Sequence, residues 1–293
     1  MTKNNFILLT NSEIVELSNF IFSIGPHGHR DWPNNQKLIS RIINDFYNNS
    51  SFEIYLLKNK SKILGYILIE EEKKINRIII SVGTKSIEHT KFLIEKILRI
   101  YSKRKIYKYT NIHVPIFQQT PLHNIDLKCL KLRKVRKYLK MNTKIENTII
   151  TSAQKTFILK KIVEENEIQE FIDTKNRIFT THWGFAPNTI NDFSHEDLNF
   201  LLITKRNEIS GFLTLSILRE NHHILGKISM IGIDEDFRGK GIGKLALENG
   251  ISILQQKGAV EVILDVDSEN HSAISMYKNF GFYKTGEIIW WEK

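Results

Sequence analysis

Ile231-Gly232-Ile233-Asp234-Glu235-Asp236-Phe237-Arg238-Gly239-Lys240-Gly241-Ile242-Gly243-Lys244 is the stretch on which the reading of this chain turns. It begins as an apolar strand, passes through a basic glycine-rich turn and ends as the start of a helix. Glycines at 239, 241 and 243 let the backbone come close to a ligand and aim successive N–H groups into one concavity. The helix N-terminus adds partial positive charge, and Arg238, Lys240 and Lys244 add formal charge. Such a turn suits an anionic pyrophosphate. The glycine spacing fits neither a Walker loop nor a dinucleotide fingerprint. The plain alternative is a flexible turn that caps a helix.

Working outward, the second half alternates strands and helices. Thr156–Ile162 reads as a strand, and Glu164–Phe179 carries Ile168, Phe171, Ile172, Ile178 and Phe179 at helical spacing. A short polar helix fits Thr189–Glu196, strands fit 200–204, 209–218 and 227–233, and Leu245–Lys257 is an amphipathic helix stopped by Gly258. Val260–Leu264 is a strand, Asn270–Phe280 a helix ended by Gly281, and the last residues form a final strand or pair. The first half repeats this order more loosely, with strands at 6–9, 52–57, 63–70, 75–82 and 109–114 and helices at 12–24, 36–47 and 86–101. Each half runs strand, helix, loop, helix, three strands, helix, strand, helix. The fold class is therefore α/β (α+β, mixed sheet), as a tandem duplication. The domains are 1–145 and 146–293, with the boundary in the polar stretch Met141–Ala153.

The 293 residues are about twice a usual domain, in agreement with two copies. Lys and Arg total 42 against 32 Asp and Glu, a net +10. The excess is uneven: residues 1–150 hold 26 basic and 12 acidic side chains, and residues 151–293 hold 16 and 20. The single Cys129 excludes an intrachain disulfide and a multi-cysteine zinc site, and no metal is expected. The apolar run Phe6–Leu9 is too short for a signal peptide, and no stretch reaches the roughly 18 apolar residues of a membrane span. The expectation is a soluble, cytoplasmic protein.

A second segment carries the chemistry further. Arg238-Gly239-Lys240-Gly241-Ile242-Gly243 resembles the Arg/Gln-x-x-Gly-x-Gly/Ala motif of the GNAT superfamily of acyl-CoA-dependent N-acetyltransferases. Downstream, Asn270-His271-Ser272-Ala273-Ile274-Ser275-Met276-Tyr277-Lys278-Asn279-Phe280-Gly281-Phe282 is similar to that superfamily's Asn-x-x-Ala-x-x-x-Tyr-x-x-x-Gly-Phe segment. The resemblance covers residues 156–293. It implies acetyl-CoA as acyl donor, with its pyrophosphate held by the amides of Arg238, Gly239, Lys240, Gly241, Ile242, Gly243 and Lys244. It implies that Ile231, Gly232 and Ile233 pair with the pantetheine arm, beside a splayed strand, and that Asn270 touches that arm. Tyr277 matches the phenol that protonates the departing thiolate in many relatives; a packed core tyrosine is the alternative.

The general base stays open. Some relatives carry a carboxylate or His on the strand before the glycine loop, whereas here that strand is Lys227–Ile233 with no acid, and Lys227 falls where mycothiol synthase-like relatives tend to hold Glu. Glu220, His223 and Asp267 are the candidates, with His222 and Asp265 nearby. The loop residues His182 and Trp183 are candidates for the acceptor pocket, or else a hydrophobic plug.

The first half departs from the family pattern. After its third central strand comes Gly83-Thr84-Lys85-Ser86, with one glycine and no Arg-x-x-Gly-x-Gly. Its end, Lys131–Met141, resembles the end of the fold in tandem proteins such as mycothiol synthase, so residues 1–145 read as a degenerate copy without a coenzyme A site. The Ile-, Lys- and Asn-rich composition differs from that of high-GC mycothiol producers, and mycothiol itself is not implied. The expected activity is acetyl transfer to a primary amine, of a small molecule or a peptide α-amine, by direct attack in a ternary complex. The alternative is a nucleic-acid- or protein-docking module that keeps the fold and uses the basic cluster Lys128–Lys140, with Lys103-Arg104-Lys105 and Tyr101, Tyr107, Tyr109 and Tyr138. A coenzyme A sensor without turnover is a third reading.

Overall fold

Apolar residues spaced for one buried face explain each helix. A computed structural model of the chain describes residues 4–103, 111–118, 125–147, 157–219 and 223–293. In chain order the strands and helices are β1 (Asn5–Leu8), α1 (Ile14–Ile24), α2 (Gln36–Tyr47), β2 (Phe52–Asn59), β3 (Lys62–Glu72), β4 (Arg77–Thr84), α3 (Ile87–Lys103) and β5 (Asn111–Phe117). They continue with β6 (Arg133–Lys144), β7 (Phe157–Lys161), α4 (Glu165–Phe179), β8 (Leu198–Thr204), β9 (Ile209–Arg219) and β10 (Ile224–Ile233). The last are α5 (Ile242–Gln256), β11 (Ala259–Asp267), α6 (His271–Asn279) and β12 (Tyr283–Glu292).

Two units emerge: Met1–Leu139 with Gly286–Lys293, and Lys140–Thr285. A single cut between 145 and 146 therefore does not describe them. In the first unit the sheet order is β1-β2-β3-β4-β5-β12, antiparallel through β4, then parallel for β4–β5 and antiparallel for β5–β12. The second unit runs β7-β8-β9-β10-β11-β6, antiparallel through β10 and parallel for β10–β11. Each sheet is mixed and mostly antiparallel, as expected. The sixth strand of the first unit comes from the chain's last residues. Its sequence counterpart, β6, is divided, with Arg133–Leu139 in the first unit and Lys140–Lys144 in the second. The many Lys and Arg of β6 mask its alternation, so the boundary stretch Met141–Ala153 expected from sequence begins inside this strand. The short helix expected at 189–196 is a single 3-10 turn, Ile190–Asp192.

Residue-level traces of the duplication lie in the strand registers. Tyr66 stands opposite Gly83 and Gly65 opposite Thr84; Phe212 stands opposite Gly232 and Gly211 opposite Ile233. At both glycines the aromatic ring fills the space a side chain would need. A Cβ on Gly83 would collide with Tyr66 and lie 2.8 Å from His27 Nε2, and one on Gly232 would lie 2.5 Å from Phe212.

In the second unit, Glu167 accepts from the Val163 and Glu164 amides at 3.1 and 3.2 Å and so starts α4. Its buried face, Ile168, Phe171 and Ile172, packs on Leu201 and Phe212. On the opposite face of the sheet, α5 lies so close that a Cβ on Gly250 would be 3.3 Å from Leu213 and Leu215 and 3.4 Å from Ile228. Gly258, at φ +86°, ends α5 and donates to the Gln255 carbonyl at 2.8 Å.

Candidate functional site

The turn between β10 and α5 begins with Asp234, a buried residue that the sequence did not single out. Its amide donates to the Ser210 carbonyl at 2.9 Å, its carboxylate accepts from the Asp236 amide at 3.3 Å, and it pairs with Arg177 at the end of α4. The chain is thereby pinned where the strand stops. Gly239 and Gly241 follow at φ +74° and +78°, in the left-handed region that glycine adopts without strain, and no atom lies within 4 Å of where either Cβ would be. The space above both glycines is open.

Helix α5 begins on Gly241 without any side-chain cap. Its first backbone bond runs from Leu245 N to Gly241 O at 3.2 Å, which leaves the amides of Ile242, Gly243 and Lys244 without intrahelical acceptors. Open space, free donors and the positive end of a helix coincide here. Arg238 Nε donates back to Ile233 O at 3.1 Å, and Lys240 Nζ to Asp236 O at 2.8 Å. Lys240 also lies over the Phe237 ring at 5.1 Å, and Lys244 over Phe280 at 6.0 Å. Arg238, Lys240 and Lys244 are all exposed on the turn. A pyrophosphate fits this donor set.

The strand leading into the cradle separates from its neighbour. β10 pairs with β11 only from Ile224 to Ile228, ending at Ile228 opposite Leu264, although β10 runs on to Ile233 and β11 to Asp267. At the same level β10 slips against β9: Ile228 faces Leu215 and Met230 faces Thr214, so Ser229 is an extra residue. Ile231, Gly232 and Ile233 thus line the edge of a splay.

Tyr277 on α6 is buried, 5% exposed, and its ring lies 5.7 Å from that of Phe282. Burial pushes its hydroxyl up to about 12, so it keeps its proton at neutral pH. Asn270 caps α6, accepting from the Ala273 amide at 3.2 Å and the Ser272 hydroxyl at 3.1 Å. Its carbonyl is therefore committed to the helix start.

The candidate bases do not gather. Asp267 is buried at the end of β11 and accepts from the Glu269 amide at 3.0 Å. His223 is exposed at the start of β10, at the far end from the splay, and Glu220 and His222 lie outside the described residues. Lys227 and Lys140 both pair with Asp265, at 3.7 and 3.2 Å. His182 is exposed, its ring 5.2 Å from that of Phe179, and Trp183 is half-buried beside it. The sequence also missed Lys175, whose ammonium donates to Asn188 Oδ1 at 2.6 Å. Burial lowers its pKa, and the charges of Asp192 and Asp197 work against that shift. Among the described residues no three His, Cys, Asp or Glu side chains group as a metal site, and no helix is long and apolar enough to cross a membrane.

In the basic cluster, Arg133 pairs with Glu292, Lys137 lies 3.6 Å from Glu287, and Lys134 lies over the Trp291 ring at 5.2 Å. These bonds spend part of its charge inside the first unit. Arg104, Lys105, Tyr107 and Tyr109 lie outside the described residues.

Comparison with known proteins agrees with this geometry. Residues 165–282 match the Acetyltransferase (GNAT) family. Mycothiol acetyltransferase of Corynebacterium aurimucosum is 34% identical over 85 residues, 29% of this chain and 28% of the relative. That of Thermobifida fusca is 26% identical over 128 residues, 39% of this chain and 40% of the relative. The matched stretch thus spans less than half of either relative. Among solved structures, a GCN5-related N-acetyltransferase from Sphaerobacter thermophilus superposes with a TM-score of 0.71 at 13% identity, covering 99% of this chain and 95% of its own. A tandem GNAT protein from the clavulanic acid biosynthesis pathway gives 0.72 at 10% identity, covering 99% and 98%. Residues 165–282, within the second unit, thus match the GNAT family, and the chain as a whole shares its fold with a solved tandem GNAT protein.

Proposed function

We propose that the second unit is an acyl-CoA-dependent N-acetyltransferase that moves an acetyl group from acetyl-CoA to a primary amine, of a small molecule or a peptide α-amine, by direct attack in a ternary complex. The observation that carries this reading is the coincidence of open space, unpartnered amides and splayed strand between Ile228 and Lys244. The amides of Ile242, Gly243 and Lys244 and the charges of Arg238, Lys240 and Lys244 bind the pyrophosphate. Acetyl-CoA, when bound, supplies the activated acyl group, so the protein's part is to position, desolvate and move protons.

The free edge of β10 offers backbone donors toward an oxygen that gains negative charge, in the manner of an oxyanion hole. Tyr277 carries its hydroxyl proton at neutral pH, as a donor to a leaving sulfur must. The similarity of this chain to mycothiol acetyltransferases supports a small-molecule acceptor.

The test is release of free thiol from acetyl-CoA with glucosamine, spermidine, L-lysine and an unblocked tripeptide as acceptors. At least one acceptor is expected to give enzyme-dependent thiol and an N-acetylated product. Tyr277→Phe should then lower kcat about 100-fold and leave acetyl-CoA affinity within twofold. Tight acetyl-CoA binding with no product from any amine would replace the enzyme with a sensor.

A further inference from the structure

The strand that carries the splay also carries a row of hydroxyls that ends on a carboxylate. Asp197 precedes β8, and the register of Leu198 with Leu215 sets it across from Ser216 on β9. Ser216 Oγ donates to Asp197 Oδ1 at 2.5 Å, and Ser216 Oγ and Ser229 Oγ lie 2.5 Å apart. Ser229 is the extra residue of the slip in β10, one position past the last β10–β11 pair. Helix α5 covers the face of Leu213, Leu215 and Ile228, whereas Phe212 meets Phe171 and Phe179 of α4. Strand alternation therefore puts Ser216 on the α4 face, and the bond to Ser216 draws Ser229 to the same side.

Hydrogen-bond direction along this row is fixed by its end. An ionised carboxylate only accepts, so the one hydroxyl proton of Ser216 goes to Asp197. Ser216 then has lone pairs alone to offer Ser229, and Ser229 must donate to it. Ser229 is left with its proton spent and its oxygen free to accept. At the mouth of the splay the row presents an acceptor backed by a negative charge.

We propose that Ser229 Oγ receives an N–H of the acceptor amine and that Asp197 and Ser216 are the positioning residues that give it this polarity. The inference rests on the N-acetyltransferase reading of the second unit and supplies the proton route that the unassembled candidate bases leave open. An amine held by its N–H on Ser229 turns its lone pair away from the strand, toward the splay. Once bonded to the acyl carbon the nitrogen is far more acidic than a free ammonium. Its proton passes to Ser229 Oγ as Ser229 hands its own to Ser216 and Ser216 its own to Asp197, which later releases it to water. No further reactant is required. The site selects amines with a hydrogen to donate, and tertiary amines are not held.

The test uses the full chain with whichever amine of the four above is turned over fastest. Ser229→Ala and Asp197→Ala should each lower kcat/KM for the amine at least tenfold, with acetyl-CoA affinity by calorimetry within twofold of wild type. Ser229→Thr, which keeps the hydroxyl, should restore most of the loss. The double variant should lose no more than Ser229→Ala alone, because both act through one oxygen; a purely structural role gives neither rescue nor that non-additivity. Wild-type kcat/KM in Ser229→Ala, beside a wild type that turns over, would overturn the inference and leave the acetyltransferase reading standing. A wild type that turns over none of the four amines defeats both.

Discussion

The turn after β4 and the turn after β10 occupy the same place in the two copies, each leading from a unit's fourth strand into the helix behind its sheet. The first crosses in two residues, Lys85 and Ser86, and the second takes the eight from Asp234 to Gly241. In the first unit Thr84 Oγ1 accepts from the Ser86 amide at 3.2 Å, donates to the Ser86 carbonyl at 2.8 Å and lies 2.7 Å from Thr90 Oγ1. In the second, glycines with open space above them stand in front of a helix without a side-chain cap. One copy turns its helix start inward on its own side chains, and the other leaves it uncapped. The strand splay is common to both: β4 and β5 pair only from Arg77 to Ile79, although β4 runs to Thr84. Both sheets therefore have the opening, and the loop after the fourth strand sets whether open space and an uncapped helix start lie beside it.

The sharpest way to break this contrast is to fill the open turn. Gly241→Glu places a negative side chain at a left-handed position in front of the unpartnered amides. Acetyl-CoA affinity by calorimetry should fall more than ~1000-fold, since the amides would face a fixed charge in place of the pyrophosphate. The Cβ meets nothing, so the far-ultraviolet circular dichroism should keep its shape, while the left-handed backbone costs the variant about 1 kcal/mol of stability. Lys85→Glu, at the matching turn of the first unit, should leave binding within twofold. Equal loss from both variants would show that the first unit also binds the ligand.

A second contrast concerns the loops that follow the first helix of each unit. His182 in the second unit is exposed, whereas His27 in the first is buried beneath Trp32 and Tyr66. His27 Nδ1 lies 2.6 Å from the Gly25 carbonyl, which can only accept, so the proton sits on Nδ1 and Nε2 accepts from the Tyr66 hydroxyl. Burial lowers its pKa from 6.5 to about 4. A group depressed on folding gives its full stabilisation above its unfolded pKa, and this is lost as the pH falls through the window from 6.5 to 4. The loss should reach about 3 kcal/mol in total, about 2 kcal/mol of it by pH 5. Urea unfolding at pH 7 and pH 5 measures it, and His27→Gln should flatten that pH dependence. An unchanged slope in the variant would move the acid sensitivity elsewhere.

Much of this was legible in the sequence, and the failures share a cause. The glycine loop, α4, α5 and α6 could be read because apolar periodicity, glycine stops and charge all agreed at those positions. β6 was missed because Arg133, Lys134, Arg136, Lys137 and Lys140 hide its alternation, and its fitness as a strand depends on partners far along the chain such as Asp265 and Glu287. The pairing of Gly65 and Tyr66 with Thr84 and Gly83 was present as letters, but only the register shows that it repeats Gly211 and Phe212 against Ile233 and Gly232. At the site, the glycine turn is local in sequence and could be read there. Asp197, Ser216 and Ser229 could not, because a row across three strands is continuous only once the strands are in register.

The smallest effect tests whether the closed turn of the first unit is a matter of stability alone. Thr84 is buried, 4% exposed, and its hydroxyl serves both the Ser86 amide and the Ser86 carbonyl. Thr84→Val removes the hydroxyl and keeps the shape, so the amide loses its acceptor while packing is retained. The expected cost is about 1 kcal/mol, the usual value for a lost helix-start bond, measured as a shift of the urea midpoint without a change in slope. Acetyl-CoA stoichiometry by calorimetry should remain one per chain, because freeing a single amide reproduces neither the glycine turn nor its open space. A stoichiometry of two would mean that Thr84 alone had kept a second site shut.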